Sequence, residues 1–290
     1  MAKKKTGHVA IPFLVTMFIG LIVVGGLAAG AYNYLGLGRG EELKEPVARS
    51  VGQVTYEDNH TILLILDDPE KNEPVTFMLL RSRPFHKKME FIGIPNNSIA
   101  LVDDTQISLK TNYESGGAAS AKEFVEKAFD IKVDRYMKFN SAAFKKVCDI
   151  VGCVKYAVNA DIAGFKNDGT EQDMNSDQME LFISYELFNG GEAERVEIAA
   201  DVIRAMINQQ KGKNIADNLD NSFQTVINMV ETDITAADYK ERKGAIKYML
   251  ENGSTIAEMV ALSGKTAGED FIPSKDNIEK IKEKYFVDTE

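Results

Sequence analysis

The chain has 290 residues, 44% hydrophobic and 27% charged, with no low-complexity tract, which suits one substantial folded domain plus an appendage. Its net charge is −10, and the first 40 residues hold four basic and no acidic side chains, so the remainder sets 30 basic against 44 acidic residues, net −14. A surface of that sign repels nucleic acid, and no basic stripe with interleaved aromatics offsets it, so nucleic acid is excluded as a partner.

In chain order, Lys3, Lys4 and Lys5 precede a stretch over residues 9–34 that is almost wholly apolar and rich in Gly and Ala. As a helix it would span roughly 39 Å, enough to cross an apolar bilayer core of about 30 Å with some tilt. We expect residues 1–8 to be a cytoplasmic tail, 9–34 a signal-anchor transmembrane helix, 35–54 a stalk, and 55–290 a domain outside the cell membrane, the lysines keeping the N-terminus inside. The competing expectation is a cleaved signal peptide with Ala29-Gly30-Ala31 as its cleavage site; the apolar run is longer than such peptides usually carry.

Three apolar runs follow closely, residues 61–66, 75–80 and 89–94, with Arg81, Arg83 and Pro84 placed in a hairpin turn between the last two. Uninterrupted apolar runs fit strands covered on both faces. Their ends, at Asp67-Asp68 and Pro95-Asn96-Asn97, are where a sheet of this kind places a site. Residues 103–117 read as irregular. Apolar spacing predicts helices over 118–129, 142–151 with Ser141 as N-cap, 192–210, 217–231, 236–251 after Thr235, and 275–284 after Ser274. Residues 132–140 and 154–161 read as strands, 163–179 as a surface loop, and 180–188 and 254–263 as helix or strand. This mixture predicts an α/β fold: a three-layer α/β/α sandwich with a central mixed sheet, preceded by one transmembrane helix. Cys148 and Cys153 are either a local disulfide or two separate thiols, with no His or further Cys near enough to suggest a metal. His8, His60 and His86 have no triad or ligand spacing.

Several segments together resemble the LytR-CpsA-Psr family of membrane-anchored envelope proteins, found mainly in Gram-positive bacteria. Residues 61–68 are similar to the family's NILLIGSD strand, 76–80 to TIMLV, 110–117 to KINHAYAYGG, 144–154 to FKKLVDALGGV and 230–235 to VKTDLS. The resemblance implies a Mg²⁺-assisted phosphotransferase of cell wall biogenesis, moving a glycopolymer from a polyprenyl-pyrophosphate carrier onto peptidoglycan. It places metal binding at Asp67 and Asp68 and catalysis at Asp68 and Arg195, while Asn96 and Asn97, by their own chemistry, are candidates to hydrogen-bond a neutral sugar. Yet the family's RSDT reads Glu73-Pro74-Val75-Thr76 here, its IPRDT reads Ile94-Pro95-Asn96-Asn97-Ser98, and its DFGRIxRQQ keeps only Arg195, with Ile198, Ala199 and Ala200 in place of the second arginine and paired glutamines. A charge-assisted phosphate contact contributes roughly 1.5–3 kcal/mol. Losing three such arginines therefore weakens recognition of the leaving group severely. The expectation is a domain that binds the lipid-linked glycopolymer or an assembly partner with catalysis reduced or lost. The alternatives are an active phosphotransferase and a non-catalytic envelope scaffold.

Overall fold

The computed structural model describes residues 54–287 apart from 69, 72, 103–104 and 210–213. The expected tail, anchor and stalk therefore lie outside the described residues, among which no helix is long and apolar enough to cross a membrane.

The three apolar runs form β1 (His60–Leu66), β2 (Thr76–Arg83) and β3 (Lys88–Ile94), each antiparallel to the next. β6 (Arg135–Phe139) lies parallel to β1 on its other side, and β9 (Glu231–Thr232) closes that edge. At the opposite edge β10 (Ala257–Met259) runs parallel to β3. The central sheet is thus mixed, in the order β10-β3-β2-β1-β6-β9. Three separate hairpins decorate it: β4 (Ile99–Val102) with β5 (Thr105–Ser108), β7 (Lys155–Ala157) with β8 (Glu171–Asp173), and β11 (Gly264–Ala267) with β12 (Asp270–Pro273).

Helices cover both faces, as expected for three layers. On one face Leu63, Ile65, Phe77, Leu79, Ile92 and Ile94 pack against α1 (Leu109–Phe129) and the terminal helix α7 (Lys275–Tyr285). Each such side chain contributes roughly 1.5–3 kcal/mol through burial. On the other face lie α2 (Ser141–Val151), α3 (Ser176–Ile183) and α4 (Gly191–Asn208), whose apolar stripes meet Met78 and Phe91. α5 (Leu219–Ile227) and α6 (Ala236–Asn252) complete the chain's helices among the described residues. α4 lies very close to β3: a Cβ on Gly93 would stand 2.2 Å from the Val196 carbonyl oxygen.

Several boundaries differ from expectation, each for a local reason. Asn140, not Ser141, caps α2, its side chain accepting from the Ala143 N–H. α1 begins at Leu109 because Ser108 caps it, and Gly117 at φ 68° lets the helix change direction where an irregular segment was expected. Residues 154–161 hold only the short β7, which pairs with β8 outside the central sheet. Part of the expected loop over 163–179 is β8 and the start of α3, which has an Asn175–Gln178 capping box. Cys148 is buried, Cys153 is exposed, and no disulfide joins them. Arg81 and Arg83 are not in the turn but in β2 itself. Arg81 is buried and donates from Nε to the Tyr285 carbonyl (3.1 Å), and Arg83 grips the buried Glu90, so both hold the C-terminal helix and its aromatic end in place.

Candidate functional site

The burial of β1 alternates along the strand. Leu63 and Ile65 are fully buried on the α1 face, while Ile62, Leu64 and Leu66, just as apolar, are only half-buried. Alternate residues of a strand share a face, so a strip of apolar side chains on the α2–α4 face lacks full cover. It lines a cavity of about 540 Å³. Thr76, Met78 and Leu80 from β2, Met89 and Phe91 from β3, and Met137 and Phe139 from β6 extend its floor. Its roof comes from one stripe of each covering helix: Phe144, Val147 and Val151 of α2, Ala199, Ile203 and Ile207 of α4, Leu219, Phe223 and Val226 of α5, and Ile246 of α6. α5 has no fully buried residue, because its apolar face looks into this space rather than onto packed atoms. A largely apolar cavity of this size suits a long hydrocarbon better than a polar metabolite.

One mouth lies at the edge where β1, β3 and β6 end and β2 begins, Leu66 standing opposite Thr76. The predicted site residues gather along this edge. Arg195 is completely buried, and all five of its N–H donors are engaged: Nε and Nη2 with Glu192 (both 2.6 Å), Nη1 with Thr76 Oγ1 (2.7 Å) and the Ile183 carbonyl (2.9 Å), and Nη2 also with the Val75 carbonyl (3.1 Å). Glu192 also accepts from the Asn96 N–H (3.1 Å), while the Asn97 side chain donates to the Glu269 carbonyl. These contacts join β3, α4, the start of β2 and the end of α3 into one knot.

Asp67 and Asp68 stand on the neighbouring strand end. Asp67 Oδ2 accepts from the Tyr113 hydroxyl (2.5 Å) and lies 3.8 Å from Lys138 Nζ. Burial, reinforced by the Asp67 carboxylate, pushes the Tyr113 hydroxyl well above its ordinary range, so it stays a donor. Asp68 accepts from the Glu70 N–H (3.1 Å) and the Ser141 N–H (3.2 Å), closing a turn and supporting the start of α2. A divalent cation wants carboxylate oxygens free to coordinate it. Here Asp67 Oδ2 and both Asp68 oxygens accept internal donors, a lysine stands beside Asp67, and no group of three or more acidic, His or Cys side chains converges among the described residues. As folded, this pair does not fit a Mg²⁺ site.

The sequence reading missed a second knot at this edge. Glu180, 2% exposed, accepts from the Ser141 hydroxyl (2.9 Å) and pairs with Lys71 (2.7 Å) and Lys145 (3.4 Å). Lys71 also lies 3.8 Å from Glu73, the residue standing where the family has an arginine. The only signal in the sequence was a lone Glu within the apolar run of α3.

The far mouth is different. His60, Lys132, Asp134, Arg135, Asp238 and Arg242 line it, with Tyr239 beside them. Arg135 of β6 holds Asp238 of α6 through two bonds, Nε to Oδ2 at 3.0 Å and Nη2 to Oδ1 at 2.7 Å. His60 is buried and its Nδ1 faces the Asp58 carbonyl (3.1 Å); burial lowers its pKa to about 4, so it is neutral near pH 7. Sequence spacing gave His60 no role, since its neighbours here come from β6 and α6.

A model of the LytR_cpsA_psr family matches residues 36–286. The polyisoprenyl-teichoic acid–peptidoglycan teichoic acid transferase TagU of Bacillus licheniformis is 24% identical over 283 residues, 88% of this chain and 90% of that protein. The Bacillus cereus protein of the same name is 28% identical over 169 residues; the match spans 54% of this chain and about half (55%) of that relative's length. Among solved structures, TagT bound to LI-WTA superposes with a TM-score of 0.64 at 15% identity, covering 81% of this chain and 93% of that one.

Proposed function

Because the chain belongs to the LytR_cpsA_psr family, we propose that it holds a polyprenyl-pyrophosphate-linked glycopolymer by its lipid tail in cell wall biogenesis, with catalysis reduced or lost. The observation that carries this reading is the apolar cavity between the sheet and α2, α4, α5 and α6. Its relatives' names speak of polyisoprenyl-linked teichoic acid and of peptidoglycan, which supports a lipid-linked glycan and a wall polymer as partners. We place the domain outside the membrane, tethered by residues 9–34, with the N-terminus in the cytoplasm.

Loss of chemistry follows from the strand-end mouth. A leaving pyrophosphate gathers negative charge that arginine forks or a metal must neutralise. Arg195 spends every donor inside the protein, Asp67 and Asp68 are held by internal donors, and Asn96 and Val75 offer no charge. The asparagine side chains likewise donate internally, to the Val75 and Glu269 carbonyls, so such a mouth does little for a leaving phosphate. The convergence of Asp68 and Arg195 on one sheet edge favours the second reading, an active phosphotransferase that opens these contacts when substrate arrives.

Native mass spectrometry with undecaprenyl pyrophosphate, beside an assay for its release from a labelled glycan carrier, separates the two. The expected result is one equivalent bound, no release, and affinity lowered at least about ten-fold, or about 1.4 kcal/mol, by Ile203→Trp, which fills the cavity. Metal-dependent release that a folded Arg195→Lys variant loses would establish the second reading. Absence of both binding and release would remove both and leave an envelope scaffold.

A further inference from the structure

We propose that the charged cluster at the far mouth is an end-stop that sets the length of apolar chain the cavity accepts; this rests on the reading of the cavity as a lipid site. Side chains at 60, 62, 64 and 66 share one face of β1 and all line the cavity, and its apolar part, from Leu66 to Ile62, is about 13 Å for four steps of roughly 3.3 Å. Along that length the walls are hydrocarbon. At His60 they change within one residue to Lys132, Asp134, Arg135, Asp238 and Arg242.

The cluster is tied into the fold, although the Lys132 and Arg135 side chains also reach solvent (83% and 38% exposed). Arg135 and Asp238 tie the sheet to α6 through paired bonds. Asp238 also caps that helix by accepting from the Thr235 N–H (2.8 Å). Asp134 accepts from the Thr61 N–H (2.9 Å) and pairs with Lys132 (2.7 Å). Arg242, half-buried, lines the cavity close enough for its charge to act on Asp134 and His60. Each methylene inside the apolar stretch gains by leaving water. One that reaches the cluster must strip water from charges and gains nothing in return. An isoprene unit contributes four bonds of about 1.5 Å, so an extended chain advances roughly 5 Å per unit and two to three units fill the stretch.

The test is binding of a series of polyprenyl monophosphates, C10, C20, C35 and C55, to the full chain in one detergent. Affinity is expected to rise more than about ten-fold from C10 to C20 and to change less than about three-fold from C35 to C55. In an Arg135→Met/Asp238→Leu variant the rise should continue to C35. Should that variant fail to fold without its helix cap, Arg242→Leu, which leaves the Thr235–Asp238 cap in place, should move the break the same way by a smaller amount. Affinity that climbs steadily to C55 in the unaltered chain, or a break unmoved in the folded variants, overturns the end-stop. Failure of every chain length to bind overturns instead the reading of the cavity as a lipid site.

Discussion

His60 is held neutral by burial, against a slight upward pull from the Asp58 carbonyl and the Asp134 charge and with Arg242 and Arg81 adding to the downward push. In the unfolded chain an imidazole titrates near 6.5. A group whose folded pKa lies below its unfolded one favours folding when deprotonated. Its contribution is therefore complete above about pH 6.5 and is lost as the pH falls toward about 4. Between pH 7 and pH 5, before most carboxylates titrate, the loss is about 2 kcal/mol. Urea midpoints at those two pH values should show it, and His60→Asn should flatten the difference. Arg195 makes the complementary point about residues. Its presence in the sequence signals an anion site, but its burial and five satisfied donors describe a structural clamp. A residue type can be read from one position, whereas its freedom depends on Thr76, Ile183 and Glu192, which the fold brings to it from elsewhere.

At the scale of elements, the packing of α4 on β3 makes a sharp claim. Gly93→Ala places a methyl against the Val196 carbonyl oxygen, backbone that cannot step aside, and should destabilise the fold by about 1–3 kcal/mol or more. Gly244→Ala, in α6 with nothing within 4 Å of its new Cβ, should stabilise by up to about 1 kcal/mol. Chemical denaturation of the two variants checks both signs. The same packing explains what was legible beforehand. The apolar runs gave β1 to β3 to within a few residues, and the Thr235 and Ser274 caps gave the starts of α6 and α7, because each of these signals is local. Arg81 was misplaced because partners distant in sequence, Thr61, Tyr285 and Phe286 among them, make a charged strand residue tolerable. The cavity was invisible for a related reason: Ile62 and Leu64 read the same whether they meet packed atoms or empty space.

For the molecule as a whole, an apolar space on this scale leaves part of the burial energy unrealised until it is filled. A ligand present at about 100 times its dissociation constant adds about 2.7 kcal/mol to the folded state. For a domain of this size that shifts the melting temperature by roughly 5–10 °C. Undecaprenyl monophosphate should produce the shift in a thermal melt, inorganic phosphate should not, and Ile203→Trp, with its cavity already filled, should show little or no shift with the lipid. The central sheet has a further consequence through its outermost strands. β9 has two residues and β10 three, so its rims offer few unpaired backbone groups. A rim that short is a poor template for an added strand, which protects the sheet against edge-to-edge aggregation. A polymer or protein that meets this sheet must therefore be recognised through side chains and the cavity mouths, not by backbone augmentation.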